Sequence, residues 1–168
     1  MSPIVIRPIQ PADAVAVAAL MRAAFSAIPE PLDPAPSALR ETETSVLAHL
    51  AHGGGAVLQQ ASIVACVLWS EQDAGLHVGR LAVAPHHRNR GFAGQLVQAA
   101  EAETLRLGLP RLHLGVRLAL PGNRRLFARL GFTETTLHAH AGYARPTWAT
   151  AEKWLATAPP PGTGTPPR

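Results

Sequence analysis

The stretch Gly79-Arg80-Leu81-Ala82-Val83-Ala84-Pro85-His86-His87-Arg88-Asn89-Arg90-Gly91-Phe92-Ala93-Gly94 decides the fold. An apolar strand over residues 76–83 runs into Pro85, which cannot donate to a ladder. A basic turn carrying a glycine follows. A helix over residues 91–107 then starts at once, with Phe92, Leu96 and Ala100 on one face. The first N–H groups of a helix have no intrahelical acceptor, and the helix dipole favours an anion there. Glycine lets the main chain approach a ligand, and arginine adds charge and a forked donor. Together these features predict a backbone cradle for a phosphate-bearing ligand, with a pyrophosphate as the expectation.

Outward from this stretch, Ile4-Val5-Ile6-Arg7 predicts a first strand. Asp13 stands where it can cap a helix through Val17, Leu20, Met21 and Phe25. Four prolines between positions 29 and 36 predict a loop. Ser37 or Thr42 starts a second helix through Val46, Leu47 and Leu50, which stops at Gly53-Gly54-Gly55. Residues 56–60 and 63–69 read as strands joined by Ala61-Ser62 in a hairpin. Beyond the helix closed by Gly108 come a strand at 112–116, a helix at 123–130 closed by Gly131, and strands at 132–138 and 147–153. The order is mixed α/β with an antiparallel first half and no internal repeat. Residues 1–157 are expected to form one domain, and the Pro/Gly/Thr-rich residues 158–168 a disordered tail.

The chain has 168 residues, 47% of them hydrophobic, which suits one domain with a real core. No apolar run is long enough to span a bilayer, and the N-terminal residues lack the pattern of a signal peptide. A single cysteine excludes an intrachain disulfide framework, so a cytoplasmic location without membrane attachment is expected. The net charge is +4, yet the basic residues are scattered apart from Arg88 and Arg90. No basic stripe is interleaved with aromatics, which argues against nucleic acid as a partner. A Rossmann site would need Gly-x-Gly-x-x-Gly early in a parallel unit, and that pattern is absent.

Three matches make the chain resemble the GNAT superfamily of N-acetyltransferases. Arg88-Asn89-Arg90-Gly91-Phe92-Ala93 fits the superfamily's Arg/Gln-x-x-Gly-x-Gly/Ala loop. Leu81-Ala82-Val83-Ala84-Pro85 is similar to its strand ending in Val-x-Pro. Leu126-Phe127-Ala128-Arg129-Leu130-Gly131-Phe132 resembles its Leu-Tyr-x-x-x-Gly-Phe segment. The resemblance implies a mixed sheet of about six to seven strands with flanking helices, splayed between the fourth and fifth strands. Acetyl-CoA would lie in that gap as co-substrate, without a metal. Its pyrophosphate would meet the main chain of Arg88, Asn89, Arg90, Gly91, Phe92, Ala93 and Gly94, with the two arginine side chains near the phosphates. The backbone of Leu81, Ala82 and Val83 would pair with the pantetheine arm, and the N–H near Val83 would polarise the thioester carbonyl.

The implied reaction is direct transfer of an acetyl group to a primary amine in a ternary complex. A small-molecule acceptor is expected, with a protein N-terminus as the other enzymatic option. An acyl-CoA-binding or regulatory relative with little turnover is the non-enzymatic alternative. The sequence departs from the family at Phe127, where a tyrosine often serves as general acid; Phe127 can still pack against the pantetheine arm. Tyr143 is the alternative acid. Asn123 is read either as a helix cap or as a cofactor contact. No glutamate stands on the fourth strand, so His77 is the candidate base. His113, His138 and His140 are weaker candidates, and Cys66 in its apolar run reads as core. Phe25, Glu30, Tyr143 and Trp148 are the candidate acceptor contacts, with Asp33 beside Glu30. A homodimer is a possible assembly.

Overall fold

The computed structural model describes residues 2–155. The tail expected at residues 158–168 lies outside them. Strand β1 (Val5–Pro8) pairs antiparallel with β2 (Gly54–Gln59), which forms a hairpin with β3 (Ile63–Gln72). Strand β4 (Gly75–Val83) returns along β3 after a two-residue turn, Asp73-Ala74, with φ of 51° and 54°. Positive φ at both turn residues suits the twist of a hairpin. Strands β5 (Arg111–Arg117), β6 (Thr133–His138) and β7 (Trp148–Trp154) complete a seven-stranded sheet in the order β1-β2-β3-β4-β5-β7-β6.

Among the described residues only β4 and β5 run parallel, and they pair at just two positions, Leu76 with Leu112 and His77 with His113. Beyond those residues the strands separate, as expected of a sheet splayed between its fourth and fifth strands. A bulge sharpens the departure. Cys66 faces Ala82 while Leu68 faces Gly79, so β4 carries an extra residue there, and Arg80 adopts φ of 53°. The Arg80 guanidinium is held by the carboxylate of Glu41 at 2.8 Å and the Ser37 hydroxyl at 3.0 Å.

Strand alternation sends side chains to two cores. On one face Leu76, Val78, Leu112, Leu114 and Val116 meet Phe92, Leu96 and Ala100 of α3 (Phe92–Arg106). On the other, Val57, Cys66 and Leu68 meet Val17 and Met21 of α1 (Ala14–Ser26) and Val46 of α2 (Glu43–Leu50). The fourth helix, α4 (Pro121–Arg129), has no buried residue of its own.

Two helix starts, those of α1 and α4, differ from the sequence expectation, and α2 takes one of its two expected starts. Asp13 does not cap α1: its carboxylate accepts from Gln10 N at 2.8 Å and from Arg7 at 2.7 and 2.9 Å, closing a short 3-10 turn instead. Thr42, not Ser37, opens α2, accepting from Ser45 N at 3.1 Å. Helix α4 begins at Pro121, because proline is preorganised for the first helical position. Asn123 therefore sits inside the first turn and caps nothing.

Candidate active site

Where β4 leaves β5, the sheet opens into a cleft of about 730 Å³. This is ample for a small-molecule or cofactor ligand. One wall is the strand segment Leu81, Ala82 and Val83. The floor is the loop into α3. After a 3-10 turn at Pro85–His87, Asn89 and Gly91 take φ of 60° and 77°, and the helix begins at Phe92. No side chain caps this helix, and the first intrahelical bond of the turn is Gln95 N to Gly91 O at 3.2 Å. The amides of Phe92, Ala93 and Gly94 are thus left for an anion. All three residues line the cleft, as do Arg88, Asn89 and Gly91. A Cβ placed on Gly91 would meet nothing within 4 Å, so the glycine keeps open space beside the backbone.

The arginines divide. Arg88 borders the cleft, but its guanidinium donates to Ala24 O at 2.9 Å and so fastens the loop to the end of α1. Arg90 is exposed and does not line the cleft. The opposite wall is α4, which contributes Asn123 and Phe127, together with Arg125 and Arg129. The two α4 arginines were not singled out in the sequence; their spacing of one helical turn beside Phe127 is the signal that places them on one face. Phe127 packs edge-on against Phe132 at 5.8 Å. At the third side, Phe25 and Glu30 border the cleft from the end of α1 and the loop after it.

His77, Tyr143 and Trp148 lie outside this cleft, His77 and Trp148 on the sheet face that carries α1 and α2 and Tyr143 in the loop between β6 and β7. His77 and His113 sit side by side at the last paired position of β4 and β5, with rings 5.3 Å apart. His113 is buried, its Nε2 bonded to Gln72 O at 3.0 Å. Burial, followed by the neighbouring His113, holds the His77 imidazole below its ordinary pKa. A neutral imidazole is able to accept a proton. Tyr143 donates its hydroxyl to the Asp33 carboxylate, and this bond raises the phenol's pKa. That makes it a poorer acid than a free tyrosine. Trp148 stacks on His138 at 4.0 Å, and its indole leans over Gly115. His138 is bonded to Thr150 and His140 to Thr147. Cys66 is fully buried and its thiol is pushed up to about 12, which removes it as a nucleophile.

The sequence pattern of the acetyltransferase (GNAT) family matches residues 17–132. No curated protein matches the chain in sequence. Among solved structures, yncA from Salmonella typhimurium with its cofactor acetyl-CoA is similar, with a TM-score of 0.72 and 17% identity over 96% of this chain and 99% of that one. A GNAT family acetyltransferase from Elizabethkingia anophelis with acetyl-CoA bound has a TM-score of 0.64 and 16% identity, over 90% of this chain and 98% of that one. The paia N-acetyltransferase from Thermoplasma acidophilum in complex with coenzyme A reaches 0.74 at 14% identity, over 91% and 99%. At such identities the likeness is one of fold.

Proposed function

The chain belongs to the acetyltransferase (GNAT) family, and on that premise we propose that it transfers an acetyl group from acetyl-CoA to a primary amine of a small molecule. The observation that carries the reading is the uncapped N-terminus of α3 opening onto the cleft at the β4–β5 separation. The cleft fits such a donor chemically. Free amides and the positive helix end suit a pyrophosphate. Arg88, Arg125 and Arg129 outnumber Glu30 among the charged groups lining it. None of the three pairs with a carboxylate among the described residues.

When bound, acetyl-CoA supplies an activated acyl group on a thioester. The protein's part is to hold and orient. Phe92, Ala93 and Gly94 offer N–H groups to the phosphates. Leu81, Ala82 and Val83 offer a strand edge, freed by the loss of β5, to the pantetheine amides. The N–H near Val83 is the candidate donor to the carbonyl that gains negative charge. Phe127 and Phe25, which both line the cleft, would exclude water from it. His77, kept neutral by its burial, is the proposed acceptor of the amine's proton, through water. Phe127 has no proton to give, so the thiolate leaves without a donor at that position. Tyr143, engaged by Asp33, is assigned to the acceptor wall with Trp148. The domain is taken as residues 1–157. A cytoplasmic location agrees with the one unpaired, buried cysteine.

The test is CoA release across an amine panel, run beside thermal shift with acetyl-CoA. Stabilisation by acetyl-CoA and turnover of one amine class support the reading. Stabilisation without turnover of any amine or peptide N-terminus would favour a CoA-binding sensor, a reading that Phe127 in place of a proton donor makes worth separating. No stabilisation by acetyl-CoA would remove both.

A further inference from the structure

Resting on the acetyltransferase reading, this inference concerns its acceptor. Leu112, Leu114 and Val116 point from β5 into the core beneath α3. Gly115 and Arg117 therefore point to the opposite face, together with their β7 partners Thr150 and Trp148. Helices α1 and α2 cover that face only over β2, β3 and β4, leaving a shelf over β5 and β7. Arg117 is four residues beyond His113, as Leu81 is four beyond His77, so it stands across the gap from the strand segment that borders the cleft.

Arg117 is the exception among the half-buried cations of the described residues. Six arginine or lysine residues are half-buried among the described residues: Arg7, Arg80, Arg111, Arg117, Arg124 and Lys153. Five of them bind a carboxylate directly, and Arg117 does not. A single Arg117 donor is bonded, at 2.9 Å to the carbonyl of Pro34. Asp33 and Tyr143 face it but are occupied with each other. Burying a guanidinium without a direct counter-ion is costly, and its planar fork matches a carboxylate.

We infer that Arg117 receives the carboxylate of the acceptor, so that the substrate is an amino acid or a compound that carries an amine and a carboxylate in the same way. Asp33 on the same loop matches the site to one negative charge better than to the two of a phosphate ester. With its carboxylate on Arg117, the acceptor's amine is free to turn toward β4, whose His77 shares this face.

The experiment compares matched pairs, each amino acid against the amine formed by its decarboxylation, in CoA-release assays on the full chain. The amino acids are expected to exceed their counterparts by about tenfold or more in kcat/KM, because losing the anion leaves the guanidinium unpaired. Arg117→Gln should raise KM for the amino acids and erase the preference, and Arg117→Lys should restore part of it. Both variants should keep the thermal shift produced by acetyl-CoA, which also shows that they are folded. Equal or better turnover of the decarboxylated amines overturns the inference. So does a preference that survives Arg117→Gln, or acetyl-CoA binding with no amino-acid turnover at all. The absence of acetyl-CoA binding, or of turnover with every amine including the decarboxylated ones, would fall on the acetyltransferase reading itself.

Discussion

At the residue scale, Gly91 shows what one backbone angle controls. Its φ of 77° costs an L-residue roughly 1–2 kcal/mol, and its missing side chain keeps the cradle open. Gly91→Val is expected to lower stability by about that amount and to abolish acetyl-CoA binding, read by chemical denaturation and calorimetric titration. His77 governs pH. Its folded pKa is depressed, so its neutral form persists below the ordinary value of about 6.5. The unfolded chain takes up the proton first as pH falls, and the stability from this group, complete above that value, is lost as pH drops through the folded pKa. The acid limb of kcat/KM should accordingly lie below the usual imidazole range, and His77→Gln should remove it. Gly91 was legible in the sequence because a strand, a turn and a helix frame it. Arg117 was not: in Leu-His-Leu-Gly-Val-Arg it reads as an ordinary outward residue, and only the tertiary pairing of every other half-buried cation sets it apart.

At the element scale, α2 rests on its cap and α3 on its apolar face. Thr42→Ala removes the acceptor for Ser45 N and should cost about 1 kcal/mol in equilibrium unfolding, without touching acetyl-CoA binding. Leu96→Ala, at a fully buried position, should cost about 2–5 kcal/mol by the same measurement. The periodicity of α1 and α3 made both visible from spacing alone. The ends of elements were not. Asp13 looks like a cap until Arg7 from the first strand claims it. The Asp73-Ala74 turn lacks the usual Asn-Gly signature, so the sequence left β3 three residues short. Long-range partners decided these cases, and local composition carries no record of them.

At the scale of the whole molecule, the loop after α1 and the loop between β6 and β7 are clasped across the shelf by Tyr143 and Asp33, with Arg117 on Pro34 beside them. Tyr143→Phe should leave stability within about 1 kcal/mol. It should raise KM for the acceptor and speed hydrogen exchange in both loops. The splayed architecture itself was legible once the family resemblance joined the glycine turn to the Gly131-Phe132 segment. The meeting of loops 110 residues apart was not. The narrow parallel pairing of Leu76 and His77 with β5 has a mechanical consequence. The sheet is two antiparallel plates stitched by a seam two residues long, and a donor lying along Leu81–Val83 would supply the missing stitches. Pulled apart by its ends, the protein should yield along this seam, and at a higher force when the donor is in place.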